Sequence, residues 1–336
     1  MAAAASTPAL PGGRTDSRWI IGRGVDLSLV IGSAGAGYVY LLLFAAAHAP
    51  MSWLWWIWSV GFDGTHIFGT ASRTFFDREA RARDRKLLYG SAAVFFSLGP
   101  LLVLAGWKGW LYLLVGVWAY YHVIRQHYGF MVLYKVKNRD LATLDNFLDR
   151  AFLGVMLVAP PFLRFFVRHP EELGLPFRVS WAEPMMWTLV IAAAAAWIAR
   201  QFRVPRRNLP KYLLFSGVVP LHWLTFALMS WQAAVPTVTI VHNLQYHALV
   251  WFHNRNRYSG DGAPAIPRAV TRSLATYAIA ALLFSAAYRI PGFHLGKVSD
   301  LAFGFFCGFG LTHYYLDSRI WRVRHDPQLK EALQLA

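Results

Sequence analysis

Apolar residues come in long blocks along this chain, separated by short polar stretches. A helix needs about 20 apolar residues to cross the hydrocarbon core of a bilayer. Ten blocks approach or reach that length: 28–48, 51–70, 87–107, 109–134, 146–167, 184–199, 212–232, 235–253, 271–289 and 298–316. The sixth is short and alanine-rich, which leaves nine spans as the alternative. The longest loops are roughly 20 residues, too short for a soluble domain. The pattern therefore predicts an all-α, polytopic helical bundle embedded in a membrane, a single domain over 28–316 with polar tails at 1–27 and 317–336. The first 27 residues are rich in Pro, Gly, Ala and Ser, carry Arg14, Arg18 and Arg23, and lack the apolar core of a secretory signal. They read as a disordered start.

Composition supports the membrane reading. The chain is 56% hydrophobic and 15% charged, with a mean hydropathy of +0.36. Soluble domains carry about 25% charged residues, and disordered chains lack this abundance of apolar groups. The excess of 33 Lys and Arg over 17 Asp and Glu gives a formal charge of +16. In a polar chain that charge would suggest nucleic acid, but this chain is too apolar for that reading. Sorted by loop, 26 of the basic residues fall on one alternating set of loops and tails, 6 on the other, and Arg125 inside the fourth block. By the positive-inside rule this predicts ten spans with both termini cytoplasmic, in a bacterial inner membrane. The basic run RTFFDREARARDRK after the second block reads as a cytoplasmic anchor, or else as a site for a lipid phosphate or an acidic partner. A single cysteine, Cys307, excludes an intramolecular disulfide and a thiolate-rich metal site.

The histidines carry the chemistry. The second block holds Asp63 and His66 (GFDGTHIFGT), the fourth His122 and His127 (YYHVIRQHYGF), the eighth His242 and His247 (VHNLQYHALVWFHNR) and the tenth His313 and Asp317 (LTHYYLDSRIWR). All four blocks run towards the cytoplasm in this topology. His66, His127, His247 and His313 precede the first basic residue beyond them by 7, 8, 8 and 6 positions, so they share a depth within a few Å, at about 1.5 Å rise per residue. Polar groups at membrane depth face the bundle interior, where something satisfies them, and imidazole is the commonest metal ligand. Asp63, His66, His122, His127, His242, His247, His313 and Asp317 are accordingly the candidate metal ligands. The two H-x4-H pairs are spaced i, i+5, about 140° apart on an ideal helix. Either one member of each pair turns away from the site, or the helix carries a π-bulge there.

Other polar residues crowd the same level. Arg125, Gln126, Asn243, Gln245, Tyr246 and His253 are candidates for orienting the ligands, as metal-bound imidazoles need partners for their second nitrogen. Arg125 needs an acidic partner, for which Asp63 or Asp317 is available, or else snorkels to the interface. His222 and the remaining histidines read as packing, span-end or tail residues. Gly304, Gly308 and Gly310 suit close helix packing.

The pairs His122–His127 and His242–His247 resemble the histidine boxes of polytopic membrane-bound non-haem di-iron enzymes, the desaturase and hydroxylase group. The spread of ligands over separate helices is similar in architecture to the bacterial Brp/Blh carotene-cleaving family. The resemblance implies an O2-using oxidoreductase with two irons, acting on a lipid-like or isoprenoid substrate, with zinc or copper as alternative metals. No nucleotide or flavin motif is present, so electrons would come from a separate donor protein, drawn to the basic cytoplasmic face. Beyond membrane lipids and an apolar substrate, no nucleic-acid partner is expected. A histidine-relay transporter, an acyl or prenyl transferase with one histidine base, and bis-histidine haem are the rival readings.

Overall fold

The computed structural model describes residues 17–204, 207–260 and 262–335. Among these the long elements are all helical and there is no strand. Each of the ten apolar blocks lies on a helix, numbered here in chain order. They are α1 (Arg23–Ala45), α2 (51–73), α3 (Arg85–Leu104), α4 (Lys108–Lys137), α5 (Thr143–Arg168), α6 (Ala182–Gln201), α7 (Leu209–Leu228), α8 (Trp231–Arg257), α9 (Leu274–Val298) and α10 (Asp300–Ile320).

Six of them, α1, α3, α5, α6, α7 and α9, are long and apolar enough to cross a membrane. The short sixth block is among these, because its helix extends to 20 residues. The other four, α2, α4, α8 and α10, hold the paired histidines and aspartates. Polar side chains lower their hydropathy, and helices that carry such groups need protein around them. The packing provides it. Helix α8 is buried along most of its length and contacts α1, α2, α4 and α7. Helix α10 packs along α3, where glycines let the backbones meet: a Cβ on Gly99 would stand 2.0 Å from the Gly304 carbonyl oxygen. Gly308 likewise lies against Phe96, whereas Gly310 meets only Tyr314 of its own helix, at an ordinary 3.5 Å.

Several boundaries differ from the sequence pattern. The Ile-Pro-Gly at 290–292 reads as a stop, yet α9 runs through Pro291 to Val298. Gly292 packs on Phe306 of α10, and this contact carries the helix past the proline. His294 and Lys297 therefore lie within a helix and not in a loop. At the amino end, the expected disorder of residues 1–16 lies outside the described residues, while 17–27 are ordered. Asp26 is buried and accepts hydrogen bonds from the Ile20 and Ile21 amides at 2.7 and 3.1 Å, and Arg18 pairs with Asn138. The carboxyl-terminal segment is also more than a tail. A short helix, Pro327–Ala332, buries Leu329 in the core.

The basic run after α2 folds into a short helix, Arg78–Arg83, capped by Asp77, whose carboxylate accepts from the Ala80 amide at 3.0 Å. Arg257 Nε and the Tyr258 hydroxyl, at the end of α8, donate to the same carboxylate at 2.8 and 2.6 Å. Burial pushes the Asp77 carboxyl up, but these donors outweigh it and hold the group below the usual carboxylate range. At the ends of α4, α5 and α7, Lys135 and Lys211 are buried with Asp149. Lys135 bonds Asp149, and Lys211 reaches Asp149 at 2.9 Å and Asp140 at 2.8 Å.

Candidate metal centre

Four imidazoles from four helices close into a ring. His66 of α2 neighbours His242 of α8 (centroids 5.2 Å apart) and His313 of α10 (4.4 Å). His122 of α4 neighbours the same two, at 4.9 and 4.8 Å. Four imidazoles around one ion at nitrogen–metal distances of about 2.0–2.1 Å would put neighbouring centroids roughly 5 Å apart. One donor atom each from His66, His242 and His313 lies within 4.8 Å of the others, as does a set from His122, His313 and Asp317. All five residues are buried, and His122 is the most exposed at 9%.

Hydrogen bonding fixes which nitrogens face inward. The Asp63 main-chain carbonyl can only accept, so His66 donates to it from Nδ1 and keeps a bare Nε2. Thr70 Oγ1 gives its single hydrogen to Asp317 Oδ1 at 2.6 Å and so accepts from His313 Nδ1 at 2.7 Å. His313 Nε2 is then bare as well, and it faces His66 Nε2 at 2.9 Å. Two lone pairs this close repel unless a cation lies between them. His122 Nε2 and His242 Nδ1 are buried with no hydrogen-bond partner, a cost of about 1–3 kcal/mol each if nothing meets them. The residues fit a transition metal, which would take these lone pairs as ligands. Asp317 is placed to offset its charge. Its Oδ2 lies 3.7 Å from His122 Nε2, while Oδ1 also accepts from Tyr246 at 2.8 Å.

The structure does not gather all eight candidate ligands. Asp63 is ion-paired with Arg289; its main-chain carbonyl accepts from His66 Nδ1, and its carboxylate stands 3.9 Å from that same nitrogen, on the side away from the ring's bare Nε2. His247 turns to Thr65 Oγ1 at 3.0 Å and to the Tyr277 hydroxyl at 3.4 Å. His127 lies beside His222, with centroids 5.6 Å apart. Helices α4 and α8 are regular α-helix through both H-x4-H pairs, so the 140° offset sends the second histidine of each pair elsewhere. A π-helical stretch does occur, but in α2, over Ile57–Asp63, directly before His66.

The supporting residues divide in the same way. Gln126 donates to the His242 carbonyl at 2.7 Å, and Tyr246 bonds Asp317. Gln245 bonds the Val30 carbonyl at 2.8 Å, away from the ring. Asn243 is buried with neither amide atom paired. His253 bonds Asn254 at 2.9 Å and stands 5.9 Å from the Trp321 ring. Arg125 is exposed, its guanidinium 5.2 Å from the Tyr128 centroid, while Asp63 and Asp317 have the partners named above. Sequence reasoning missed Thr70 and Arg289. A threonine one turn after His66 was a visible signal for the first. Nothing local marked Arg289, which stands at the end of the ninth block while its partner Asp63 is on α2. No protein-family model, curated protein sequence or solved structure matches the chain.

Proposed function

We propose that this chain is a membrane-embedded, metal-dependent oxidoreductase whose single ion, iron, is held by His66, His122, His242 and His313 and balanced by Asp317. The observation that carries the reading is the closed ring of four buried imidazoles with two bare nitrogens turned on each other at 2.9 Å. Two irons were expected from eight donors. Five donors in one cluster, with no second carboxylate to bridge, favour one ion. Imidazole donors without thiolate suit iron among the transition metals. Iron so bound supplies O2-dependent oxidation of an organic substrate. Four rings in mutual contact leave no slot for a porphyrin plane, which disfavours haem.

The protein's own part is orientation and exclusion. Thr70 and the Asp63 carbonyl lock two ligand tautomers. Arg73 is buried 3.9 Å over the Trp321 ring, which in turn stands 5.9 Å from the ring of Tyr246, whose hydroxyl bonds Asp317. An aromatic path leads outward from His122 through Tyr314 (5.1 Å) to Trp118 (6.3 Å further). Trp118 lies in a shallow, open depression of about 470 Å³ on the surface of α4, with Trp110, Leu113, Leu114, Val117 and Tyr121. A wholly apolar lining next to the most exposed ligand supports a lipid-like or isoprenoid substrate entering from the bilayer.

The proposal includes ten spans, both termini cytoplasmic, in a bacterial inner membrane. The coincidence of ten blocks with ten helices and the alternation of basic residues support it. A basic cytoplasmic face suits an acidic electron-donor protein. Metal analysis of purified, iron-supplemented protein tests the reading. About one iron per chain is expected, and less than about half of any metal per chain would overturn it. Alanine at His66, His122, His242 or His313 should each lower the content, whereas His247→Ala should not.

A further inference from the structure

A second pair of histidines is buried outside the ring. His127 of α4 and His222 of α7 are both fully inaccessible, with centroids 5.6 Å apart and ring planes at 84°. His222 Nδ1 lies 2.8 Å from the Val218 carbonyl, which can only accept, so the proton is on Nδ1 and Nε2 is a bare lone pair. That Nε2 has no partner, and His127, which interacts with the Gln245 side chain, makes no hydrogen bond of ordinary geometry. A ring that donates one nitrogen to a main-chain carbonyl and turns the other, bare, into a closed space is the arrangement of a metal-bound histidine. It repeats what the Asp63 carbonyl does for His66.

A buried water is the simplest alternative occupant. It would donate to His222 Nε2 and meet at most one nitrogen of His127, fewer than the roughly three hydrogen bonds that buried waters make. An ion uses both lone pairs. Two imidazoles bound head-on to one ion at about 2 Å from each nitrogen put their centroids roughly 6 Å apart, close to the separation present. The choice of ion follows from what the pocket lacks. Its ring neighbours are Tyr120 and, beyond it, Phe226, and the Tyr120 hydroxyl is spent on the Leu157 carbonyl at 2.6 Å. Among the described residues no carboxylate pairs with either histidine. Zinc and ferrous iron take four or more ligands and would bring two uncompensated charges into a closed pocket. Cuprous ion is content with two nitrogen ligands and brings one charge, and imidazole suits copper.

We propose that His127 and His222 form a second metal site, separate from the four-histidine ring, that takes one Cu(I) ion. The two sites are linked through α4, where His127 follows His122 by five residues, or about 7–8 Å of rise. The proposal stands whether or not the ring holds iron.

Anaerobic titration of the full chain in detergent micelles with Cu(I), against a chromogenic Cu(I) chelator, tests it. His127→Gln and His222→Gln are each expected to bind one ion fewer than the parent protein. His313→Ala should keep this site while weakening the ring. X-ray absorption of the His66→Ala/His242→Ala/His313→Ala protein, whose ring keeps one imidazole, loaded with one Cu(I) should show two imidazole nitrogens on copper, a readout that needs no variant of the pair itself. Equal Cu(I) stoichiometry in the parent and both glutamine variants would overturn the proposal and leave water as the occupant. Copper with three or more nitrogen ligands in that triple variant would overturn it too.

Discussion

Thr70→Val isolates what one hydroxyl does for the metal centre. Valine matches threonine in shape but neither accepts from His313 Nδ1, now 2.7 Å away, nor donates to Asp317 Oδ1 at 2.6 Å. Tyr246 still holds Asp317 at 2.8 Å, so the carboxylate stays partnered while the imidazole loses its anchor. Partners of this kind contribute about 10- to 100-fold to metal affinity, or roughly 1.4–2.7 kcal/mol. Thr70→Val should therefore weaken metal binding by one to two orders of magnitude, with the fold intact. Thr70→Ser, which keeps the hydroxyl, should restore most of the loss. Thr65→Val is the control, because Thr65 faces His247, outside the ring. The assay is titration of metal-depleted protein in micelles with ferrous or cobaltous ion against a competing chelator. Equal affinities for Thr70→Val and the parent would refute the assignment of His313 as a ligand oriented by Thr70. An equal loss in Thr65→Val would show a general effect on packing instead.

Three further outcomes follow from other parts of the molecule. Gly99→Ala or Gly304→Ala would force a Cβ to within 2.0 or 2.7 Å of facing backbone, costing at least the about 1–3 kcal/mol of overpacking. Melting in micelles should drop for both, while Gly310→Ala is tolerated. Asp149→Asn removes the anion shared by Lys135 and Lys211, and an uncompensated buried charge costs about 3–5 kcal/mol. Asp140, 2.8 Å from Lys211 and 3.4 Å from Lys135, offsets one of the two charges, so denaturant unfolding should register the loss of the other, and no loss would refute a net buried charge. The Asp77 tether depends on pH in a defined direction. Its folded pKa is below the ordinary 3.8, so its stabilisation is present above that value and is lost as pH falls through the lower folded one. Hydrogen exchange of the Arg78–Arg83 helix, corrected for intrinsic rate, should stay slow down to about pH 4 and rise below it. In Asp77→Asn it should be fast throughout.

The histidines show how far sequence reasoning reaches. Depth along a helix follows from counting residues, and the count put His66, His127, His247 and His313 at one level with His122 and His242 about 7–8 Å deeper, whereas the ring joins His66 and His313 to His122 and His242. Direction around the axis also follows, within the limits of an ideal helix: the i, i+5 spacing left His122 and His127 either pointing apart or joined by a π-bulge, and the regular α-helix decides for the first. Which of the two faces the ring was not legible, because that depends on the rotation of α4 against α8 and α10, set by packing over the whole bundle. His222 looked like an ordinary packing residue for the same reason. Its significance comes from His127, 95 residues earlier, and no local feature connects them. Arg289 was not legible because its partner, Asp63, lies on α2, 226 residues earlier.

The chain by itself determined the all-helical architecture, the places of the long helices with most ends within a few residues though not that of α9, and the uneven placement of basic groups. These are set by local quantities, namely apolar run length, periodicity and charge, which need no partner to be read. Tertiary structure decided which donors meet. The ring requires four helices to present one face each to a common point, and every one of those orientations is fixed by non-local contacts such as Gly99 on Gly304 or Thr70 between His313 and Asp317. A spacing can say that two imidazoles share a helix face. Only the packed bundle puts two bare nitrogens 2.9 Å apart and sets two other imidazoles beside each other.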